Sequence, residues 1–78
     1  MRKSLFVRAE WDEEARVWVA TSDDVPGLAT EAETTEQLIE KLKVIIPELF
    51  EANDFAANSE IPFELFSRRF ETARLNHA

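Results

Sequence analysis

The sequence predicts an α+β domain whose elements run β-β-β-α-β, an antiparallel sheet with one helix packed on one face. Two patterns support this class: apolar residues alternate in the first third of the chain, then recur every three or four residues from residue 35. With 78 residues, the chain is long enough for one domain only, so we expect residues 1–78 to form a single domain. One helix in such a domain can cover only one face of the sheet.

Two stretches near the start have the pattern of half-buried strands joined by a hairpin. We predict the first strand at residues 4–11 and the second at residues 16–22, which is rich in β-branched and aromatic residues. The polar residues between them are too few for anything but a short loop, so we expect Trp11 to face Arg16 across it.

That alternation assigns the two faces of the hairpin. A shift of the strand register by one residue would move the apolar side chains to the opposite face. The apolar pattern therefore favours this assignment of the faces. The more apolar face, where we place the helix, holds Leu5, Val7, Ala9, Trp11, Trp18 and Ala20, and the other holds Phe6, Arg8, Glu10, Val17, Val19 and Thr21.

The stretch Val-Pro-Gly-Leu contains the only glycine of the chain, Gly27. Proline fixes φ near −65° and glycine accepts a positive φ, which are the demands of the two central positions of a type II turn. Pro26 and Gly27 are therefore structural turn residues, and we expect the chain to reverse into a short third strand at residues 28–33.

The period then becomes helical over residues 35–52. Thr34 and Gln37 form a capping box at its start, and Pro47 should kink the helix without ending it, because the apolar stripe continues beyond it. The stripe of an amphipathic helix is formed here by Leu38, Leu42, Ile45 and Leu49.

The C-terminal stretch allows two interpretations. Alternating apolar residues predict a fourth strand, but Phe66 breaks the phase and Phe70 follows it at a helical spacing. The pattern fits a strand with a bulge near Leu65–Phe66, or a strand that passes into a short helix. We favour the strand, at residues 61–70.

The chain is acidic, with a formal net charge of −7 that is concentrated in its middle third. Such a charge opposes direct binding of nucleic acid, which needs Lys and Arg to displace counterions, and it suits a basic partner. The absence of cysteine fits a reducing compartment, and no apolar run approaches a membrane span, so we expect a cytoplasmic protein away from membranes.

The sequence offers no set of residues suited to catalysis, and we expect no catalytic residue, cofactor or metal site. Nucleophilic catalysis needs a nucleophile within reach of a base, and the one imidazole, His77, lies in a tail that we expect to fray. The adjacent acids Glu13–Glu14 and Asp23–Asp24 are typical of solvated turns and offer too few oxygen ligands for a hard cation.

The stretch DDVPGLATEAETTEQLIEKLK resembles the signature of the HicB-like antitoxin family. In that family an aspartate-containing D-x-P-G turn leads into a short strand, and a Thr-Glu pair then opens an amphipathic helix. The matching residues are Asp24, Pro26, Gly27, Thr35 and Glu36. The resemblance covers about residues 4–52, and the whole chain also resembles the small stand-alone branch of that group, a domain of unknown function.

This resemblance implies a partner. Full antitoxins of the family bind and block a small basic RNA-cleaving toxin, associate as oligomers and carry an added DNA-binding segment. We expect no DNA-binding segment here, because the sequence leaves no room for one.

We therefore predict a non-enzymatic protein-interaction domain, antitoxin-like, that forms dimers or tetramers and has a small basic toxin as partner. The candidate partner-binding residues are Phe6, Val17 and Val19 on the uncovered face, and the acids Asp23, Asp24, Glu36 and Glu40. The alternative is a small RNA-binding or orphan regulatory domain, in which Arg68, Arg69 and Arg74 would pair with RNA beside Phe66 and Phe70.

Overall fold

The structure, a computed structural model, describes residues 4–51 and 60–76. Its strands form one four-stranded sheet in the order β3-β2-β1-β4, and the helix packs on one face of it. The predicted α+β class and the element order β-β-β-α-β are confirmed. The elements are β1 (Leu5–Asp12), β2 (Val17–Thr21), β3 (Ala29–Ala32), α1 (Thr35–Glu51) and β4 (Phe63–Arg68).

The sheet is mixed, which corrects the expectation of a purely antiparallel sheet. β4 pairs with β1 in parallel, in a register that runs without interruption from Leu5↔Phe63 to Glu10↔Arg68, so β4 has no bulge. The chain reverses at each of the first two turns, so β3 runs in the same direction as β1. The crossover through α1 returns the chain to the starting end of the sheet, so β4 also runs in that direction. The strand ends at Arg68, and residues 69–76 form neither strand nor helix.

The hairpin register differs from the expected one by two residues. Trp11 lies opposite Trp18 and not opposite Arg16. Arg16 belongs to the loop, where it takes a positive φ of 61° and donates its N–H to the carbonyl of Asp12 at 2.7 Å. Because side chains alternate with a period of two, this shift leaves both predicted faces intact.

The hydrophobic core lies between α1 and the face that carries the tryptophans. The helix lies closest to β3 and β2, and Trp18 is partly buried against the core. No buried side chain among the described residues is polar. The buried residues are Val7, Ala9, Ala20, Val25, Leu28, Ala32, Leu38, Leu42 and Ile46.

The proline-glycine turn has the predicted geometry. Leu28 donates its N–H to the carbonyl of Val25 at 3.1 Å, and Gly27 takes a φ of 85°. A Cβ on Gly27 would meet only the Cδ2 atom of Leu49, at 4.0 Å. Glycine is therefore required by the backbone and not by lack of space. Val25 and Leu28, which flank the turn, are both buried in the core, and their packing holds the turn beneath the helix.

The helix begins as the capping residues indicate. Thr34 Oγ1 accepts a hydrogen bond from the backbone N–H of Gln37 at 3.0 Å, which satisfies one of the free donors of the first turn. The helix continues through Pro47 to Glu51, and the last predicted position, residue 52, lies outside the described residues.

We expect Leu42→Ala to lower the free energy of unfolding by about 2–5 kcal/mol, because it leaves a cavity between helix and sheet. Leu42 is fully buried, whereas Val44 on the same helix is 58% exposed. Val44→Ala is the matched control, with an expected change within about 0.5 kcal/mol. Urea denaturation followed by tryptophan fluorescence measures both, and equal small effects would contradict the packing of α1 described above.

Candidate protein-interaction surface

The sheet face opposite α1 is covered by no other element of the described ranges. Residues that lie directly opposite each other in adjacent strands share a face, so the register defines its members. We call this surface the open face. It carries Phe6, Arg8, Glu10 and Asp12 of β1, Val17, Val19 and Thr21 of β2, Ala29 and Glu31 of β3, and Glu64, Phe66 and Arg68 of β4.

Two phenylalanine rings are the large apolar groups of the open face that remain exposed. The rings of Phe6 and Phe66 lie 4.6 Å apart between centroids, tilted by 42°, and the two residues remain 39% and 53% exposed. The sequence pattern indicated Phe6 as a protein-contact residue, whereas Phe66 was named only in the RNA-binding alternative. The available signal was that Phe66 falls in the opposite phase to Phe63 and Leu65, and therefore points to the opposite face.

The two valines selected from the sequence also lie on the open face, but both are half-buried. Val19 lies between Glu10 and Glu31 in the register of the three strands. Two carboxylates therefore flank it. The open face combines an aromatic pair with an acidic neighbourhood.

Phe6 is held in place by side chains that extend the sheet beyond the end of β2. Asp24 Oδ2 accepts a hydrogen bond from the N–H of Phe6 at 2.9 Å, and the hydroxyl of Ser22 donates to the carbonyl of Phe6. The N–H of Asp24 donates in turn to Ser22 Oγ at 3.0 Å. Two polar side chains thus replace the backbone partner that β2 no longer provides, and the carboxylate of Asp24 has a structural role beside the open face.

Asp23 has a different environment from Asp24. Its carboxylate forms an ion pair with the guanidinium of Arg8 at 3.4 Å, and its side chain is 87% exposed. Such an exposed pair contributes about 0–1 kcal/mol to stability. Asp23 therefore remains accessible at the margin of the open face.

The helix acids lie on the other side of the sheet. Glu40 forms an exposed ion pair with Lys43 at 3.4 Å, and Glu36 accepts a hydrogen bond from the hydroxyl of Thr35 at 3.2 Å. The structure does not bring Glu36 and Glu40 together with Phe6. The residues selected from the sequence thus divide between two surfaces.

The hairpin end holds a cluster of aromatic and charged side chains on the helix side of the sheet. The rings of Trp11 and Trp18 lie 5.4 Å apart, edge to face, and the guanidinium of Arg69 lies 4.1 Å from the centre of a Trp11 ring. Trp11 Nε1 donates to Glu13 Oε1 at 2.8 Å. Glu13 also forms an ion pair with Arg16 at 2.7 Å.

The three arginines considered for RNA binding do not form one patch. Arg68 lies on the open face, Arg69 contacts Trp11 and forms an ion pair with Glu71, and Arg74 follows in the exposed C-terminal stretch. The structure therefore gives no specific support to the RNA-binding alternative.

Within residues 4–51 and 60–76, no group of three or more His, Cys, Asp or Glu side chains is placed to hold a metal ion. No helix in the same ranges is long and apolar enough to cross a membrane.

One family model matches residues 4–76 of the chain. The chain belongs to the DUF1902 family, a domain of unknown function. No curated protein is similar enough to this DUF1902 chain to give a match. Among solved structures, the chain is similar to the crystal structure of hypothetical protein TTHA1013 from the extremely thermophilic bacterium Thermus thermophilus. The two sequences are 49% identical, the match covers 94% of this chain and 100% of that one, and the TM-score is 0.66.

The two neighbouring aspartates provide a test of the contact that holds Phe6. We expect Asp24→Ala to lower the free energy of unfolding by about 1–3 kcal/mol, because it removes a charge-assisted hydrogen bond and leaves the N–H of Phe6 without that acceptor. Asp23→Ala is the matched control and should cost about 0–1 kcal/mol. Chemical denaturation of both variants measures the difference, and a larger loss for Asp23→Ala would contradict the assignment.

The pKa of the Glu13 carboxyl lies below its ordinary value of 4.5, because Trp11 donates a hydrogen bond to the carboxylate and Arg16 and Arg69 lie nearby. A lowered pKa in the folded state stabilises the protein above the unfolded pKa, and that contribution is lost as the pH falls through the folded pKa. We expect Trp11→Phe to raise the pKa of Glu13 towards 4.5 in a titration followed by NMR. Trp18→Phe is the control, because it keeps the Trp11 indole N–H that donates to Glu13. If Trp11→Phe left the pKa of Glu13 unchanged, the hydrogen bond from Trp11 would not be the cause of the lowered pKa.

Proposed function

We propose that this chain is a non-enzymatic protein-interaction domain, HicB antitoxin-like, whose open face binds another protein. The observation that carries the proposal is the exposed pair of Phe6 and Phe66 on a sheet face without a covering element among the described residues. Aromatic residues are enriched in protein interfaces, and apolar groups that lie together on a surface mark contact sites.

The charges of the open face indicate the chemistry of the partner. Three glutamates and one aspartate lie on this face against two arginines, and Arg8 is already paired with Asp23. With a net charge of −7 over the chain, a basic partner would be attracted and oriented by the electric field. A small basic RNA-cleaving toxin, the partner implied by the HicB-like resemblance, has this chemistry.

The environments of the acids support a non-enzymatic role. The carboxylates of Glu13, Asp23 and Glu40 are all exposed and paired with a neighbouring base. Acid–base catalysis usually relies on carboxyl groups that burial or a like charge has perturbed, in a cleft where substrate can bind. We propose the cytoplasm as the compartment, since the chain has no cysteine.

The test begins with the adjacent reading frame, which we expect to encode a small basic protein. That protein is co-expressed with this chain, and affinity purification and calorimetry follow. We expect a complex that Phe66→Asp weakens by more than about tenfold, because a charge then replaces an interface aromatic. Val44→Asp is the matched control, since Val44 is similarly exposed but lies on the helix. The absence of a complex, or equal binding by both variants, would contradict the proposal.

A further inference from the structure

The two edges of the sheet are protected differently. β3 is only four residues long, and Lys41 of α1 donates from Nζ to the carbonyl of Glu31 in this strand at 2.6 Å. β4 has six residues and, in the part of the chain that the structure describes, a strand neighbour on one side only. An edge of this kind presents unpaired backbone groups to another strand.

The register shows which backbone groups β4 presents. Leu5 donates its N–H to the carbonyl of Pro62 at 2.9 Å and lies opposite Phe63. In a parallel pair this phase directs the backbone groups of the even-numbered residues of β4 towards β1. The N–H and C=O groups of Phe63, Leu65 and Ser67 therefore point to the outer edge.

The chain leaves β4 as an exposed arm. Residues 69–76, which we call the C-terminal arm, have no regular secondary structure, and all of them are exposed. Phe70 is 85% exposed and Leu75 is 80% exposed, more than any other large apolar side chain that the structure describes. The arm therefore presents two apolar side chains that its own body does not cover.

A groove of about 520 Å³ lies between α1 and the segment that enters β4. We call it the helix groove; its apolar lining consists of Leu42, Ile46 and Pro47 on one side and Ile61 and Phe63 on the other. It exists because the helix lies over β3 and β2 and leaves the β4 side of the sheet less covered. The groove is thus an apolar site without an apolar occupant among the described residues.

We propose that two copies of this chain pair antiparallel through the outer edges of β4, and that each lays its C-terminal arm into the helix groove of the other. Antiparallel pairing brings the residues that follow Arg68 in one copy beside those that precede Phe63 in the other. Glu60 and Ile61, which precede Phe63, border the helix groove, so the pairing places the arm beside the groove. Eight extended residues span about 26 Å, enough to place both apolar side chains along it.

The arm is directed to a second copy and not to its own groove. It leaves β4 at Arg68, whereas the groove of the same copy lies at the Phe63 end. The charges of the arm and the body also favour this contact. Residues 69–76 carry two arginines and one glutamate, a net charge of +1. Residues 4–51 carry twelve acids and four bases, a net charge of −8. A basic arm is attracted to an acidic body of the same sequence.

This pairing is independent of the proposed partner on the open face. It uses the edge of β4, the arm and the helix groove, and it places no element over the open face, so the outward sides of the Phe6 and Phe66 rings stay accessible. It also supplies the additional buried apolar surface that a domain of 78 residues lacks on its own.

Sedimentation of the full chain, together with isotope-filtered NMR on a mixture of labelled and unlabelled copies, tests the pairing. We expect a dimer of about 18 kDa, twice the 9.0 kDa of one chain, with intermolecular contacts from the Phe70 ring to the methyl groups of Ile46 and Ile61. A monomer at all concentrations would overturn the proposal, as would a dimer whose intermolecular contacts involve Phe66 and not Phe70.

A pair of variants makes the same test by mutation. Phe70→Ser should raise the dissociation constant of the dimer by more than about tenfold without unfolding the chain, because an exposed anchor is removed. Val44→Ser, an apolar-to-polar change on the exposed side of α1, is the control and should leave the dimer unchanged. Equal dimerisation of Phe70→Ser and the unaltered chain would overturn the proposal. Failure to bind a basic partner would instead count against the function of the open face alone.

Discussion

The structure depends on one constraint: a single helix is the only helix available, within the described residues, to cover a four-stranded sheet. A helix with its side chains is about 10–12 Å wide, whereas four strands at about 4.8 Å spacing place the outer strands about 14 Å apart. The helix therefore covers part of one face, above β3 and β2. The opposite face and the β4 side of the helix face are left to water or to another chain, and both proposed contacts lie in these two places.

The short segment between β2 and β3 connects the covered side of the sheet with the uncovered side. Its first residues, Ser22 and Asp24, bond to the backbone of Phe6 and hold that strand end in the sheet. Its last residues, Val25 and Leu28, are buried beneath the helix. The turn between them needs glycine for backbone reasons. A change in this segment would therefore affect both the core and the position of the aromatic pair.

Periodicity in the sequence predicted the faces, the helix and its cap, because side-chain direction in a strand or helix follows directly from residue spacing. It did not predict the hairpin register, because Arg16 belongs to the loop with a positive φ, and arginine is not a residue type that indicates such a conformation. It also did not predict the parallel pairing of β4 with β1, nor the place of Phe66 on the open face. Both depend on the end of the sheet at which the chain emerges after the helix, and residue spacing does not specify that end. Charge alone grouped Glu36 and Glu40 with Asp23, whereas the fold separates them by placing the helix on the far side of the sheet.

The most direct test of this account is the solvent exposure of side chains in the isolated chain, measured by NMR with a soluble paramagnetic agent. The expected result is strong relaxation of the ring protons of Phe6 and Phe66, with the methyl groups of Leu38 and Leu42 protected. Dimerisation through β4 and the arms leaves this expectation unchanged, since the open face stays uncovered. Protection of Phe6 and Phe66 equal to that of Leu38 and Leu42 would contradict the claim that one helix leaves the second face open.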